Sequence, residues 1–115
     1  MSEQDNWITV CSDTDLVSNS GVCALLNKQQ IALFKIKSVN DEHVYAVSNW
    51  DPIGKANVLY RGILGSVEDI KVIISPLYKQ RYCLESGQCL DDDAIKLIVY
   101  PVRIEQSLVQ LLLAD

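Results

Sequence analysis

Four cysteines, one histidine and a run of three aspartates are the side chains of this chain with the widest chemical reach. Cys11, Cys23, Cys83 and Cys89 contain no Cys-x-x-Cys pair, the spacing by which zinc ribbons and ferredoxin-type clusters are held. Cys11 and Cys23 fall in strand-like stretches, where a free thiol behaves as a small apolar side chain. Cys83 and Cys89 flank Gly87 almost symmetrically, so they can face each other across a hairpin; in a reducing cytosol they stay thiols. His43 follows a polar turn and is expected in solvent, with no partner to orient it as acid, base or ligand. Asp91-Asp92-Asp93 offers hard oxygen ligands but lacks the spaced positions and closing Glu of a calcium loop, and reads as a solvated turn. No glycine-rich phosphate loop, nucleophile elbow or His-x-x-x-His pair is present. No catalytic residue is assigned, and a chain that is catalytic on its own is not expected.

The elements that carry these residues are short and β-like. Strands are expected at Trp7–Val10, Gly21–Leu26, Gln30–Ile36, His43–Ser48, Lys71–Ile74, Arg81–Leu84, Ile95–Val99 and Leu108–Leu113. Val109, Leu111 and Leu113 share one face, as alternate residues of a strand do. Turn chemistry separates the runs at Asn27-Lys28-Gln29, Asn40-Asp41-Glu42, Glu85-Ser86-Gly87-Gln88 and Glu105-Gln106-Ser107. Ser12-Asp13-Thr14-Asp15-Leu16 opens with N-cap residues and suits one helical turn, as does Asp91-Asp92-Asp93-Ala94. Neither is long enough for a helix stable by itself. Strands at this spacing argue a sandwich or small barrel.

The chain has 115 residues, 49% of them apolar, and fits a single domain spanning 1–115. Such a chain buries about 65% of its unfolded surface, enough for one core. Its net charge of −5 comes with no basic stripe, so nucleic acid is not an expected partner. No apolar run approaches the roughly 20 residues of a membrane helix. Ser2-Glu3-Gln4-Asp5 has neither the positive nor the apolar region of a secretory signal, so a cytoplasmic location is expected.

Two segments, Ser48-Asn49-Trp50-Asp51-Pro52-Ile53 and Ile74-Ser75-Pro76-Leu77-Tyr78, resemble the loops that hold the 2Fe-2S cluster in the Rieske family. Those loops carry Cys-Pro-His and Cys-Pro-Leu-His; here Asp51 and Ile53 stand at the first pair of ligand positions, Ser75 and Tyr78 at the second. The likeness covers nearly the whole chain. Asp15-Leu16 with Ser20-Gly21 resembles the family's opening segment. Ile31-Ala32-Leu33-Phe34 and Val44–Asn49 resemble the strands leading to the first loop. Leu59, Arg61 and Gly62 resemble its closing Leu-x-x-Gly, and Arg81–Gly87 resembles the hairpin after the second loop. The resemblance implies an all-β Rieske-type fold, a sandwich of two sheets with a smaller cluster-loop sub-sheet, and no cluster. A Rieske centre also needs two histidines on one iron, and this chain has one. The interval from Ile53 to Ser75 is longer than usual, which implies a different bulge there.

Within that superfamily the chain resembles the small subunits of NADH-dependent nitrite reductase. Gly21–Leu26, Ser48-Asn49, Asp51-Pro52, Arg61-Gly62, Ser75-Pro76-Leu77 and Lys79-Gln80-Arg81 carry that resemblance, and ligand-free loops are themselves that family's mark. It implies a cytoplasmic accessory partner, without metal or cofactor of its own, for a large subunit that carries FAD, siroheme and 4Fe-4S and reduces nitrite to ammonium. Two other readings are a stand-alone Rieske-like electron carrier, which the ligand count opposes, and a general β-fold interaction module.

In Rieske proteins the cluster sits at an exposed tip. A chain that keeps the loop frame is therefore expected to dock its partner there, through Trp50, Ile53, Leu59, Tyr60, Arg61, Leu77, Tyr78 and Lys79. These mix aromatic, aliphatic and arginine side chains, as binding hot spots do. Trp50 has two readings, a partner contact or a filler tucked under the loop. Tyr78 is expected to hydrogen-bond across to the first loop and brace the pair. Asp51 has Lys55, Lys79 and Arg61 as candidate ion-pair partners.

Overall fold

Short apolar runs joined by tight turns make strands whose apolar faces must be covered, and with no long helix in the pattern the cover is another sheet. The computed structural model describes residues 7–37 and 39–112. Leu113 and the Ser2–Asp5 segment lie outside the described residues. The strands are β1 (Trp7–Ser12), β2 (Ser20–Leu26), β3 (Gln29–Lys37), β4 (Glu42–Ser48), β5 (Trp50–Asp51), β6 (Ala56–Asn57), β7 (Ile63–Val67), β8 (Ile70–Ile74), β9 (Arg81–Cys83), β10 (Val99–Tyr100), β11 (Val102–Glu105) and β12 (Leu108–Leu112). They form sheets of order β10-β4-β3-β2, β1-β12-β11, β7-β8-β9 and β5-β6. The all-β expectation holds, with a smaller sub-sheet around the loops.

β3 is the central element. Ile31, Ala32, Leu33 and Phe34 are all fully buried, a continuous apolar run that strict alternation would not allow in a half-exposed strand. Its two faces serve two cores. Ala32 and Phe34 pack with Val47, Leu59, Ile73 and Tyr82, under the loop region. Ile31 and Leu33 pack with Leu16, Ala46, Val109 and Leu111, against the terminal strands. The loops therefore stand on a sheet anchored from both sides.

Three hairpins turn on two consecutive residues with positive φ, Asn27-Lys28, Glu68-Asp69 and Gln106-Ser107. That conformation matches the right-handed twist of the flanking strands. Asn27 announces its turn. Glu68-Asp69 carries neither Gly nor Asn, which is why β7 is not evident from the residues alone. Ser12 caps a 3-10 turn at Asp13–Asp15, with Asp15 returning a bond to the Ser12 N–H.

The expected strand over Ile95–Val99 does not form as such: Lys96 makes one isolated bridge to Gln88, and strand pairing begins at Val99. Its apolar residues belong to a loop packed on the core, held by Cys89 N–H to Ile95 O and Leu97 N–H to Gly87 O, with Leu97 buried. Gly87, at φ 83°, admits that loop because a side chain there would strike the Leu97 carbonyl. Asp91-Asp92-Asp93 is not helical. Asp91 instead accepts a forked pair from the Arg81 guanidinium, at 2.7 and 3.2 Å, and the Arg81 N–H. Cys83 and Cys89 do not face each other: Cys83 pairs with Val72, Cys89 lies opposite Tyr82, and both are free thiols.

Candidate functional site: twin loops closed on a buried carboxylate

The two loops are built alike. Each begins with a short polar residue followed by proline, Asp51-Pro52 and Ser75-Pro76, and each ends four residues on at a lysine. Proline presets the turn, and the preceding side chain bonds its own backbone two residues on. The Ile53 N–H donates to Asp51 Oδ1 at 2.9 Å, and the Leu77 N–H donates to Ser75 Oγ at 3.2 Å. The Lys55 N–H returns to the Asp51 carbonyl at 2.6 Å, and the Lys79 N–H to the Ser75 carbonyl at 3.1 Å. Both lysines take positive φ, 57° and 63°, to close the turn. Two adjacent loops thus share one five-residue geometry.

One side chain joins them. The Asp51 carboxylate is wholly buried. Oδ2 accepts the Ser75 hydroxyl at 2.6 Å. Oδ1 accepts the Gln80 amide at 2.7 Å, the Tyr82 hydroxyl at 3.1 Å and the backbone N–H groups of Ile53 and Gly54 at 2.9 and 3.1 Å. Gln80 also donates to the Tyr82 oxygen at 3.0 Å. Burial alone would push the Asp51 carboxyl upward. The bonds from Ser75, Gly54, Ile53 and Tyr82 outweigh it and hold the group below the usual carboxylate range. The same burial, with Asp51 beside it, raises the Tyr82 phenol. Gly54 keeps this corner open: a side chain there would displace Leu77 Cδ1 and crowd Asp51 Oδ2.

A second staple holds the start of the first loop. Asn49 is fully buried; its oxygen accepts the Tyr60 N–H at 2.7 Å and its amide donates to Gln30 Oε1 at 3.1 Å. Asn49 thereby ties β3 to the 3-10 turn Leu59–Arg61.

Several expectations about individual residues change. Asp51 makes no ion pair with Lys55, Lys79 or Arg61; its partners are hydroxyls, an amide and backbone N–H groups. Tyr78 does not brace the loops, since it is 68% exposed; the bracing phenol is Tyr82, four residues on and buried. Leu59 is not available to a partner, being fully buried in the core beneath the loops. Trp50 is 45% exposed, which disfavours the filler reading. Ile53 and Leu77 are exposed as well, and Tyr60 is partly buried against the core. Lys55, Arg61 and Lys79 are exposed and, among the described residues, in no ion pair. Gln80 is the residue that motif reasoning missed. A buried amide has no periodic signal, though its place five residues after Pro-flanked Ser75 marks the strand that faces the loop.

A Rieske-type cluster requires two thiolates and two imidazoles. The four corresponding positions offer a carboxylate with both oxygens engaged, an alkyl chain without a lone pair, a hydroxyl committed to that carboxylate, and a solvent-facing phenol. These residues do not fit the cluster. Among the described residues, no group of three or more His, Cys, Asp or Glu is placed to hold a metal ion.

Residues 6–112 match the family model of the Rieske-like [2Fe-2S] domain. The chain is 35% identical over 105 residues to the nitrite reductase (NADH) small subunit of Escherichia coli K12, covering 91% of this chain and 95% of that one. It is 37% identical over 101 residues to part of the nitrite reductase [NAD(P)H] large subunit of Klebsiella oxytoca, covering 88% of this chain and 10% of that longer one. The nitrite reductase [NAD(P)H] small subunit from Erwinia carotovora superposes with a TM-score of 0.79 at 43% identity, over 97% of this chain and 85% of its own. The ferredoxin of carbazole 1,9a-dioxygenase from Nocardioides aromaticivorans shares the fold, at TM-score 0.75 and 16% identity over 93% of this chain and 97% of its own. A ligand-free loop pair on a Rieske-type scaffold, with this similarity over almost the full length, places the chain in the family of nitrite reductase NAD(P)H small subunits.

Proposed function

We propose that the chain, 1–115 acting as one Rieske-like unit, is the non-catalytic small subunit of a cytoplasmic NADH-dependent nitrite reductase. Its partner is a large subunit that carries FAD, siroheme and 4Fe-4S and reduces nitrite to ammonium. The observation that carries this reading is the Asp51 network. The loop frame persists, but a carboxylate bonded by five donors occupies the position where a ligand would be, so the scaffold serves recognition rather than electron transfer. The Klebsiella large subunit, which contains a segment similar to this chain, supports the partnership. No helix among the described residues is long and apolar enough to cross a membrane.

The docking surface in this proposal is the tip of the twin loops. Trp50, Ile53, Leu77 and Tyr78 present exposed apolar area, and Arg61 and Lys79 border it. Tyr60 contributes its partly buried ring at the edge. Its rigidity comes from the network below, which limits the entropy lost on binding. The test is co-purification of the tagged chain with the large subunit, followed by NADH-dependent nitrite reduction. A stoichiometric complex whose output falls when the small subunit is removed supports the proposal. Absence of the large subunit from the purified material overturns it.

A further inference from the structure

Two sheets of this protein end, among the described residues, in strands that pair with one strand each. β2 ends the four-stranded sheet and β7 ends the three-stranded one. Among the described residues, neither strand makes a backbone hydrogen bond to an element other than its single strand partner. An edge of this kind presents a row of N–H and C=O groups able to pair with another chain. Both edges border one cleft of about 520 Å³, whose lining includes Ser20, Gly21, Arg61, Ile63, Gly65 and Lys71.

Three features say what the cleft suits. First, no Asp or Glu lines it, while Arg61 and Lys71 do, in a chain of net charge −5. Second, Ile63 at its wall is 60% exposed. Third, Gly65 is not needed by the fold. A side chain there would make only ordinary contacts, 3.6 Å from Ile74 Cδ1 and 3.7 Å from Val72 Cγ2, whereas one at Gly62 would strike the Ile74 carbonyl. A strand glycine often marks a bulge, a tight bend, or a place where a ligand or another backbone approaches closely, and β7 pairs with β8 without a bulge.

We infer that this cleft binds an extended, acidic segment of the large subunit, which pairs with the free edge of β7 as a fourth strand. Its carboxylates face Arg61 and Lys71, and an apolar side chain covers Ile63. Main-chain pairing supplies affinity in such strand addition, and the alternate side chains supply selectivity. The inference rests on the large subunit being the partner. It is separate from docking at the loop tip, with which it shares Arg61.

The test titrates purified large subunit onto the wild-type chain and onto Gly65→Val, Lys71→Glu, Trp50→Ala and Leu77→Ala, and follows amide hydrogen exchange of residues 63–67. Expected are tenfold or greater losses of affinity for Gly65→Val and Lys71→Glu, with wild-type melting, and slowed exchange along β7 in the wild-type complex. Wild-type affinity in both cleft variants, with loss in the two tip variants, overturns the cleft and leaves tip docking standing. The reverse pattern upholds the cleft and overturns tip docking. Weakened binding without slowed exchange at 63–67 overturns strand addition. If Gly65→Val fails to fold, Lys71→Glu at an exposed position and the wild-type exchange decide. No binding by the wild-type chain removes the shared premise, and both proposals with it.

Discussion

Replacing Asp51 removes the acceptor on which both loops close. In Asp51→Ala, the Ser75 hydroxyl, the Gln80 amide, the Tyr82 hydroxyl and two backbone N–H groups lose their shared partner. A hydrogen bond to a charged group contributes about 1.5–3 kcal/mol, and a buried donor left unmatched costs about 1–3 kcal/mol. The bonds converge on one group and are not additive, and water can reach donors at a surface loop once the carboxylate is gone. The expected loss is therefore about 3–5 kcal/mol for Asp51→Ala. Asp51→Asn keeps one acceptor oxygen but turns an NH₂ toward donors, for a loss of about 2–4 kcal/mol. A chain of this size has a total stability of about 6–17 kcal/mol at typical values per residue. Urea unfolding followed by tryptophan fluorescence and circular dichroism measures the difference. The sign with pH is fixed as well. The folded Asp51 pKa lies below its unfolded value. Its stabilisation is therefore complete above the unfolded value, about 3.9, and disappears as pH falls through the lower folded value. The gap between wild type and Asp51→Asn should be constant from pH 5 to 7 and shrink below about pH 4. A variant within about 0.5 kcal/mol of wild type at pH 7, or a gap that widens in acid, refutes the network as the closure of the loops.

Gln80→Ala removes a donor to Asp51 and to Tyr82 and should cost about 1–3 kcal/mol by the same unfolding assay. Leu59→Ala should cost about 2–5 kcal/mol, as truncation in a packed core does, while Trp50→Ala leaves melting nearly unchanged; equal effects would contradict their opposite placement. Anaerobic reconstitution with iron and sulfide should yield no stoichiometric iron and no visible absorption, because the ligand positions hold Asp51, Ile53, Ser75 and Tyr78; a coloured, iron-loaded protein would overturn the fit argued from those side chains. Restoring Cys and His at all four positions should still fail to assemble a cluster, since the groups around a metal site tune it as well; assembly in that variant would show the scaffold sufficient.

Much of the fold is legible in the residues because its signals are local. Alternation marks β4 and β12, a continuous apolar run marks β2, and Asn27 marks its turn. β7 escapes because Glu68-Asp69 turn a hairpin without the residues that usually announce one. Ile95–Leu97 mislead because a loop laid over a core shows the same alternation as a strand. The loop pair is legible through Asp51-Pro52 and Ser75-Pro76, which keep the family's proline. The interior of the site is not. Which of two tyrosines braces the loops depends on the register of β9 against β8, which points Tyr82 inward while Tyr78 stays in the second loop and faces solvent. Gln80 becomes meaningful only when the fold brings it within 2.7 Å of a carboxylate 29 residues earlier.

The most direct test of the central claim is the equilibrium affinity of the purified chain for the large reductase subunit, measured beside its Trp50→Ala variant. The account predicts a defined complex with the wild-type chain. It predicts affinity at least tenfold weaker for the variant, equivalent to about 1.4 kcal/mol, with both proteins melting alike. No complex with the wild-type chain, or a variant that binds equally well, would contradict it.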